Sequence, residues 1–422
     1  MRIVIVGGGF RNKGAEAMMR TVQAEFGRRI PDAEFVMWNC PENEREFALS
    51  SGLLPVTEPG KGSGWQRVAW LVGRLARSPR RLLGVLRAGD VVNMLRAAEM
   101  LEDCGSFDAV VDVSGFAYGD QCAELRSTRA PYGACRRPKR VPVVFMPQSW
   151  GSFEIGAIRE QTTTLLAHLD SLEFSRDAVS SRHLESILGL PAGAKEPQPD
   201  VALAFFGGST NQGEGLLRAM GCLMNRPVVG LAPNARIYEL TEGSGGRNTY
   251  IESLSRLVRH LVDHKGVDVV LQANEMRTDA IAPDDRYLCS TVATAACRPG
   301  AVFMTRQRLD AESTSALIGQ LDLLVSSRFH SLVFALSRGV PAVAVGWSHK
   351  YPELMATFGL SEYAIGFEAA ESGELTRVVD DALDRRGESM GRIRMIAPDL
   401  RRRLCSVFDD SAAFIIEELR HR

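Results

Sequence analysis

Short apolar runs alternate with longer stretches of helical periodicity along most of the chain. A short continuous apolar run is typical of a strand buried on both faces, as in parallel sheets. Such runs predict strands at Arg2–Val6, Glu34–Asn39, Ala109–Val113, Val141–Met146, Ser171–Phe174, Pro227–Leu231, Val267–Leu271, Ala301–Met304, Leu323–Val325 and Pro341–Val345. Helical spacing follows most of these runs. The alternation therefore predicts an α/β fold with two doubly wound parallel sheets.

The length of the chain indicates two domains, because 422 residues exceed what a single hydrophobic core usually holds. We expect an N-terminal Rossmann-like domain over residues 1–205 and a C-terminal one over residues 206–422. The Gly- and Ser-rich segment 207–215 is interpreted as a linker or an interdomain loop. The last helix, with a helical pattern over residues 402–419, is expected to pack back on the first domain. Because ligands of such sheets bind at strand carboxyl ends, the two domains are expected to face each other across a ligand cleft.

The clearest functional pattern lies in residues 321–345, which indicate a strand, a tight turn, a short helix and a second strand. Ser326 or Ser327 is the predicted N-cap of the helix. Arg328 and His330 fall in its first turn, where the helix dipole disfavours cations. Two cationic groups beside free backbone N–H donors make sense if an anion binds between them. The alternative is that Arg328 extends into solvent and His330 makes a local cap.

A glycine-rich turn, Gly7-Gly8-Gly9, follows the first strand. The dinucleotide fingerprint and the P-loop are both incomplete here, because Asn12 and Ala15 stand where those motifs need glycine and lysine. A helix is predicted from Gly14, and its first backbone N–H groups can approach a ligand closely. Glu16 in the first turn is favoured by the helix dipole whatever its function.

Further residues that could line a ligand site follow other predicted strands. They are Gly115, Asp120, Gln148, Ser149, Asn234 and Ser348. Arg176 repeats the arrangement of Arg328, a cation at a strand–helix junction, with an ion pair to Asp177 or Glu173 as the alternative interpretation. Since all of these residues lie at strand ends, we expect them to line the ligand cleft.

Two segments resemble motifs of the polysaccharide pyruvyl transferase family. The Ser-x-Arg-x-His turn at residues 326–330 is followed by a small-residue helix and a Gly-x-Pro strand, and the segment 12–17 is similar to the family's Gly-Asn-x-Gly-(Ala/Asp)-Glu opening. The resemblance extends in patches from about residue 2 to residue 360. The sequence departs from the family pattern in keeping only Gly115 of its paired or tripled glycines, and in lacking a histidine in the loop 272–275.

The resemblance implies transfer of a pyruvyl group from phosphoenolpyruvate to two hydroxyls of a sugar, forming a pyruvate ketal and releasing phosphate. Arg328 and His330 are then the catalytic residues, since guanidinium groups bind carboxylate and phosphate in bidentate fashion and histidine exchanges protons near neutral pH. The expected donor-binding residues are Arg176, Ser326, Ser327, Asn12 and Gly14. The expected acceptor-binding or cleft-lining residues are Glu16, Gly115, Asp120, Gln148, Ser149, Asn234 and Ser348. No cofactor and no metal are expected, and the acceptor is a saccharide or a lipid-linked glycan.

Two other functions fit the same expected GT-B-like architecture. A glycosyltransferase would bind a nucleotide sugar and would need a loop that holds the diphosphate. No segment of the sequence is a distinctive candidate for such a loop. A non-catalytic saccharide-binding relative would keep the fold and lose the chemistry. Arg176, Arg328 and His330 favour an enzyme, whereas the reduced glycine content near Gly115 fits a binding protein.

The composition of the chain limits its possible partners and its cellular location. A net charge of −1 argues against a nucleic-acid partner, and no apolar run approaches the ~20 residues of a membrane span. The eight cysteines form no C-x-x-C pair, which indicates buried thiols in a reducing compartment. We therefore expect a cytoplasmic protein.

A basic segment interrupts the α/β pattern between Gly60 and Gly89. It contains seven Lys and Arg residues, two tryptophans and no acidic residue. This composition fits an amphipathic element lying on anionic lipid at the inner face of the membrane. It equally fits a helical insertion around residues 60–100, and both interpretations stay open.

Overall fold

The structure, a computed structural model, describes residues 1–57, 104, 106–120, 131–135, 141–241, 248–276, 284–305 and 307–421. The chain divides into two compact units. The first comprises Met1–Gly9, Val22–Gln198 and Ser406–Arg422, and the second comprises Phe10–Thr21 and Pro199–Cys405. The change of unit after Gln198 lies near the expected boundary at residue 205. Residues 10–21 were expected in the first domain but group with the second unit.

The first unit is built on a parallel sheet with the strand order β3-β2-β1-β4-β5-β6. Its strands are β1 (Arg2–Val6), β2 (Glu34–Cys40), β3 (Leu53–Thr57), β4 (Ala109–Asp112), β5 (Val143–Gln148) and β6 (Ser171–Ser175). Its helices are the part of α1 (Lys13–Arg29) from Val22 onward, α2 (Arg45–Ser50), α3 (Tyr132–Cys135), α4 (Gly156–Ala167) and α5 (Ala178–Leu188). Every residue of β4 and β5 is buried, as expected for inner strands covered on both faces. The direction of strand addition reverses between β1 and β4.

The second unit repeats this topology with the strand order β12-β11-β10-β7-β8-β9. Its strands are β7 (Val228–Ala232), β8 (Asp268–Leu271), β9 (Val302–Met304), β10 (Leu323–Ser326), β11 (Ala342–Gly346) and β12 (Ala364–Gly366). Its helices are α6 (Thr210–Ala219), α7 (Ala235–Leu240), α8 (Thr249–Lys265), α9 (Asp285–Ala296), α10 (Ala311–Ile318), α11 (Phe329–Ser337), α12 (Lys350–Thr357), α13 (Glu374–Asp384) and α14 (Arg386–Arg420), which continues into the first unit from Ser406. The order reverses between β7 and β10. The predicted fold of two doubly wound parallel sheets is confirmed.

Two local predictions were wrong. The expected linker at 207–215 contains helix α6, and a Cβ on Gly213 would overlap with the carbonyl of Ala316, so this glycine serves close packing against α10. Helix α14 was predicted only from about residue 402, but it begins at Arg386 and passes through Pro398, which removes one backbone N–H without ending the helix.

Strands β3 and β12 were not predicted. Both lie at sheet edges; β3 contains Pro55 and β12 is only three residues long, so neither gives a clear strand signal in the sequence. The basic segment 60–89 lies outside the described residues. Within the described part of the chain, no helix combines the length and the apolar character needed to cross a membrane.

Candidate active site

The turn after β10 stands at the point where strand order reverses in the second sheet, the usual ligand crevice of such folds. The helix that follows has Arg328, not a serine, as its N-cap residue, and no side chain caps it. The Ser326 hydroxyl instead donates to the Arg328 carbonyl (2.9 Å) and accepts from its N–H (3.0 Å). The Ser327 hydroxyl accepts from Tyr250 Oη (2.8 Å). Both serine side chains are buried and hold the turn in shape, which does not fit their predicted role as donor ligands.

The Arg328 guanidinium is held by two carboxylates. Its Nε and Nη2 atoms both donate to Asp285 Oδ1, at 3.2 Å for Nε, and Nη1 donates to Glu275 Oε2 at 2.8 Å. Burial opposes the charge on Arg328, but Asp285 and Glu275 raise its pKa above the ordinary value. Because Asp285 accepts from the Nε–Nη2 edge of Arg328 and Glu275 accepts from Nη1, a two-point contact with a substrate anion would require one of these carboxylates to move. The prediction of a bidentate donor contact needs this correction.

Asp285 is fully buried and gathers donors from two loops as well as from Arg328. Its carboxylate accepts the backbone N–H groups of Glu275 (2.8 Å), Asn274 (3.1 Å) and Ala235 (3.3 Å). Burial raises its pKa, and the charge of Arg328 opposes that shift. Asp285 therefore fixes the position of Arg328 relative to the loops after β7 and β8.

His330 lies directly against Gly14. A Cβ added to Gly14 would overlap with the imidazole Cγ and Nδ1 atoms and would lie 2.6 Å from His330 Cβ. The Asn12 side chain accepts from the backbone N–H of Gly14 (2.9 Å), so it caps the start of α1. The structure thus brings together three predicted site residues, and it shows why glycine is needed at position 14.

The loop containing Asn12 is joined to the loop after β8. The Lys13 N–H donates to the Asn274 carbonyl and the Met276 N–H donates to the Arg11 carbonyl, both at 3.2 Å. Asn12 and Glu275 form an antiparallel bridge. These bonds explain why residues 10–21 belong to the second unit.

Glu16 does not occupy the predicted ligand-lining position. It is buried, and its carboxylate contacts Lys13 Nζ (3.3 Å) and the Arg20 guanidinium (3.1 Å). Burial raises the pKa of Glu16 and lowers that of Lys13, while the opposite charge of each partner opposes these shifts. The three side chains form a packed ionic cluster in the first turns of α1.

Asn234 and Ser348 follow β7 and β11, as predicted. The buried Asn234 accepts from the Arg236 N–H (2.9 Å) as the N-cap of α7 and donates to the Ser327 carbonyl (2.8 Å), so its polar atoms serve the two turns. The Ser348 hydroxyl has no hydrogen-bond partner among the described residues. Ser348 therefore remains a candidate for ligand contact, whereas Asn234 is better explained as a structural residue.

A second set of predicted residues lies at the carboxyl ends of β4, β5 and β6 in the first unit. The buried Ser149 hydroxyl donates to Asp177 (3.0 Å) and accepts from Arg176 Nε (3.0 Å), and its N–H donates to the carbonyl of Gly115 (3.0 Å). Gly115 has a φ of +69°, a conformation that glycine adopts without strain. The Gln148 amide is fully buried, and neither its nitrogen nor its oxygen has a partner in the described part of the chain. A buried primary amide without partners is costly, which marks Gln148 as a candidate ligand contact.

Asp120 is better explained as a turn cap than as a cleft residue. Its carboxylate accepts from the backbone N–H groups of Glu154 (2.7 Å) and Ile155 (3.1 Å) and from the Ser152 hydroxyl (2.9 Å). Burial opposes ionisation, but these hydrogen bonds lower the pKa of Asp120.

Sequence reasoning missed Asp285, Arg11 and Tyr250. The rule that residues after parallel strands face the ligand could have selected Glu275, which follows β8. No comparable sequence signal marks Asp285, because an acidic residue in the first turn of a helix is common for electrostatic reasons alone.

The two doubly wound parallel sheets place the chain in the class of proteins with two Rossmann-like domains. The structure is similar to that of UDP-GlcNAc 2-epimerase from Neisseria meningitidis bound to UDP-GlcNAc (TM-score 0.58, 12% identity, all of both chains). It is also similar to HepE from Anabaena in complex with UDP-glucose (TM-score 0.58, 13% identity, 99% of each chain). The glycosyltransferase SnogD from Streptomyces nogalater gives a TM-score of 0.52 at 15% identity over 97% of this chain and 99% of that chain. At these identities the similarity shows the fold alone.

Sequence comparison places the chain within that class. The family model of the polysaccharide pyruvyl transferases matches residues 12–349, so the chain belongs to the polysaccharide pyruvyl transferase family. The amylovoran biosynthesis protein AmsJ from Erwinia amylovora is 20% identical over 400 residues, covering 91% of this chain and 92% of the relative. The chain is thus a polysaccharide-modifying transferase.

Proposed function

We propose that the enzyme transfers the pyruvyl group of phosphoenolpyruvate to two hydroxyls of a sugar in a polysaccharide or glycan precursor. The observation that carries the proposal is the packing of His330 against Gly14, beside an Arg328 that Asp285 holds in place. This arrangement places a histidine, a residue type that can exchange protons near neutral pH, and an arginine two positions apart in one turn.

The proposed reaction balances without a cofactor. The donor's methylene carbon gains a proton and becomes a methyl group, two sugar oxygens form bonds to the central carbon, and the bond from that carbon to the phosphate oxygen breaks. Of the two hydroxyl protons, one balances the proton on the methyl group and the other leaves with phosphate. His330 is the proposed group that delivers the proton to the methylene carbon, since general acid–base catalysis requires a side chain that exchanges protons at the working pH.

Charge stabilisation is the second requirement, and Arg328 Nη1 with the uncapped start of α11 is proposed to supply it. The backbone N–H groups of the first turn have no intrahelical acceptors and carry partial positive charge, which favours an anionic leaving group. In the first unit, Arg176 stays a predicted donor ligand, and Gln148 and Ser149 stay predicted acceptor ligands.

Release of inorganic phosphate from phosphoenolpyruvate, measured with and without added saccharides, tests the proposal. We expect release that depends on the saccharide and that falls by about 10²–10⁴-fold in His330→Gln, which keeps a hydrogen-bonding side chain but cannot exchange a proton. His168→Gln is the matched control, because His168 is an exposed histidine on the first unit. A loss of less than about tenfold in His330→Gln would show that His330 only positions the substrate.

A calorimetric titration separates this function from nucleotide-sugar transfer. We expect phosphoenolpyruvate to bind and UDP to give no heat beyond dilution. Saturable binding of UDP, with no heat from phosphoenolpyruvate, would favour the glycosyltransferase alternative.

A further inference from the structure

Glu275 lies between two arginines of the second unit. Its Oε2 atom accepts from Arg328 Nη1 at 2.8 Å, and its Oε1 atom lies 3.3 Å from Arg11 Nε. Arg11 Nε makes no hydrogen bond of good geometry to a described residue, so this second contact is an ion pair only. The two cations thus face one carboxylate from two sides.

Asp285 and Arg328 are more buried than Glu275 and Arg11. Asp285 is 0% exposed and Arg328 12% exposed, whereas the side chains of Glu275 and Arg11 are 23% and 41% exposed. Asp285 holds the Nε–Nη2 edge of Arg328 from the buried side. The Glu275 carboxylate can rotate towards solvent without disturbing that bond, because only its backbone N–H is tied to Asp285.

We propose that Arg11 and Arg328 form an anion subsite, and that the Glu275 carboxylate occupies it until an anionic group of the substrate displaces it. The inference rests on the proposed function in naming the carboxylate or phosphate of phosphoenolpyruvate as that group. A carboxylate between two guanidinium groups has the same sign of charge as the proposed ligand groups and, like them, presents oxygen acceptors to the guanidinium donors. Glu275 thus sets the apparent affinity of the subsite, because ligand binds only to the fraction of molecules in which the subsite is open.

Titration of the full-length protein with inorganic phosphate and with phosphoenolpyruvate tests this subsite. Glu275→Gln removes the competing charge and keeps the size of the side chain, so we expect both anions to bind about tenfold more tightly. Glu275→Asp is the matched control, because it keeps the negative charge, and we expect less tightening than in Glu275→Gln. Equal tightening in both variants, or none in a folded Glu275→Gln protein, would overturn the proposal.

Arg11→Gln provides an independent measurement if Glu275→Gln does not fold. Arg11 lies on a loop with its side chain 41% exposed, so its replacement should leave the melting temperature nearly unchanged and should weaken phosphate binding several-fold. Unchanged phosphate affinity in folded Arg11→Gln refutes the subsite. If the double variant folds, Arg11→Gln should weaken phosphate binding more in the Glu275→Gln background than in the parent background. The reason is that the subsite is always open when residue 275 is glutamine.

The readouts distinguish failure of this inference from failure of the proposed function. If no saccharide supports phosphate release but Glu275→Gln still tightens phosphate binding, the anion subsite holds and pyruvyl transfer does not. If saccharide-dependent release is observed and Glu275→Gln binds neither anion more tightly, pyruvyl transfer holds and the subsite is wrong.

Discussion

Gly14→Ala is expected to displace the imidazole of His330 and to reduce turnover sharply. The added Cβ would lie 2.6 Å from His330 Cβ, against 3.4 Å for the start of ordinary van der Waals contact, and it would overlap with the ring itself. Gly14 lies in α1 and His330 lies in α11. The overlap involves the Cβ of His330, which a change of rotamer does not move, so it cannot be removed by moving the end of a flexible side chain. A misplacement of about 1 Å near a reacting centre can cost on the order of 10²-fold in rate.

The assay is saccharide-dependent phosphate release, with thermal unfolding measured on the same samples. Helix propensity alone favours alanine over glycine by about 1 kcal/mol in a helix interior. A fall in kcat of about 10²-fold at an unchanged or modestly lower melting temperature would therefore report displacement of His330. Adding Gly14→Ala to His330→Ala should cause little further loss, because the displaced ring is then absent.

Gly9→Ala, in the glycine-rich turn that precedes α1, is the matched control. Among the described residues its Cβ would meet only Glu44 Oε2, at 3.8 Å, so we expect near-parental turnover. If Gly14→Ala retains kcat within about threefold while remaining folded, the position of His330 does not limit the reaction, and its assignment as the proton donor is refuted.

Three further predictions concern Arg328, Asp120 and the cysteines. Arg328→Lys should lower the free energy of unfolding by about 1.5–3 kcal/mol, since lysine cannot reproduce the two bonds to Asp285, and it should weaken donor binding by a similar free energy. Chemical denaturation measures the change in stability, with Arg11→Lys, expected within about 0.5 kcal/mol of the parent, as the control. The pKa of Asp120 is lowered in the folded state, so its contribution to stability is present above the unfolded-state pKa and is lost as pH falls through the folded-state pKa. Acid unfolding should thus be less steep below about pH 4 in Asp120→Asn than in the parent, and equal slopes would contradict the capping role. Burial raises the pKa of Cys40 to about 11, so peptide mapping after brief alkylation of the native protein should find the exposed Cys297 and Cys405 modified before Cys40; early modification of Cys40 would refute this. The expectation of buried thiols was wrong for Cys297 and Cys405.

The sequence by itself determined the α/β class, the inner strands and the residues of the Ser-x-Arg-x-His turn. Inner parallel strands are buried on both faces and therefore form continuous apolar runs, which are a local property of the chain. The edge strands β3 and β12 escaped prediction because β3 contains Pro55 and β12 is only three residues long. The position of Arg328 and His330 after a buried strand is likewise local information.

The tertiary structure decided the partners of these residues. Gly14 and His330, Arg328 and Asp285, and Arg11 and Glu275 are each far apart in sequence, and no periodicity relates the members of a pair. Hydrophobic pattern shows which face of an element is buried, but not which loop lies beside it. Side chains that seemed suited to a ligand, such as Ser326 and Asn234, satisfy backbone groups of their own turns, because buried polar groups must be paired in the folded state.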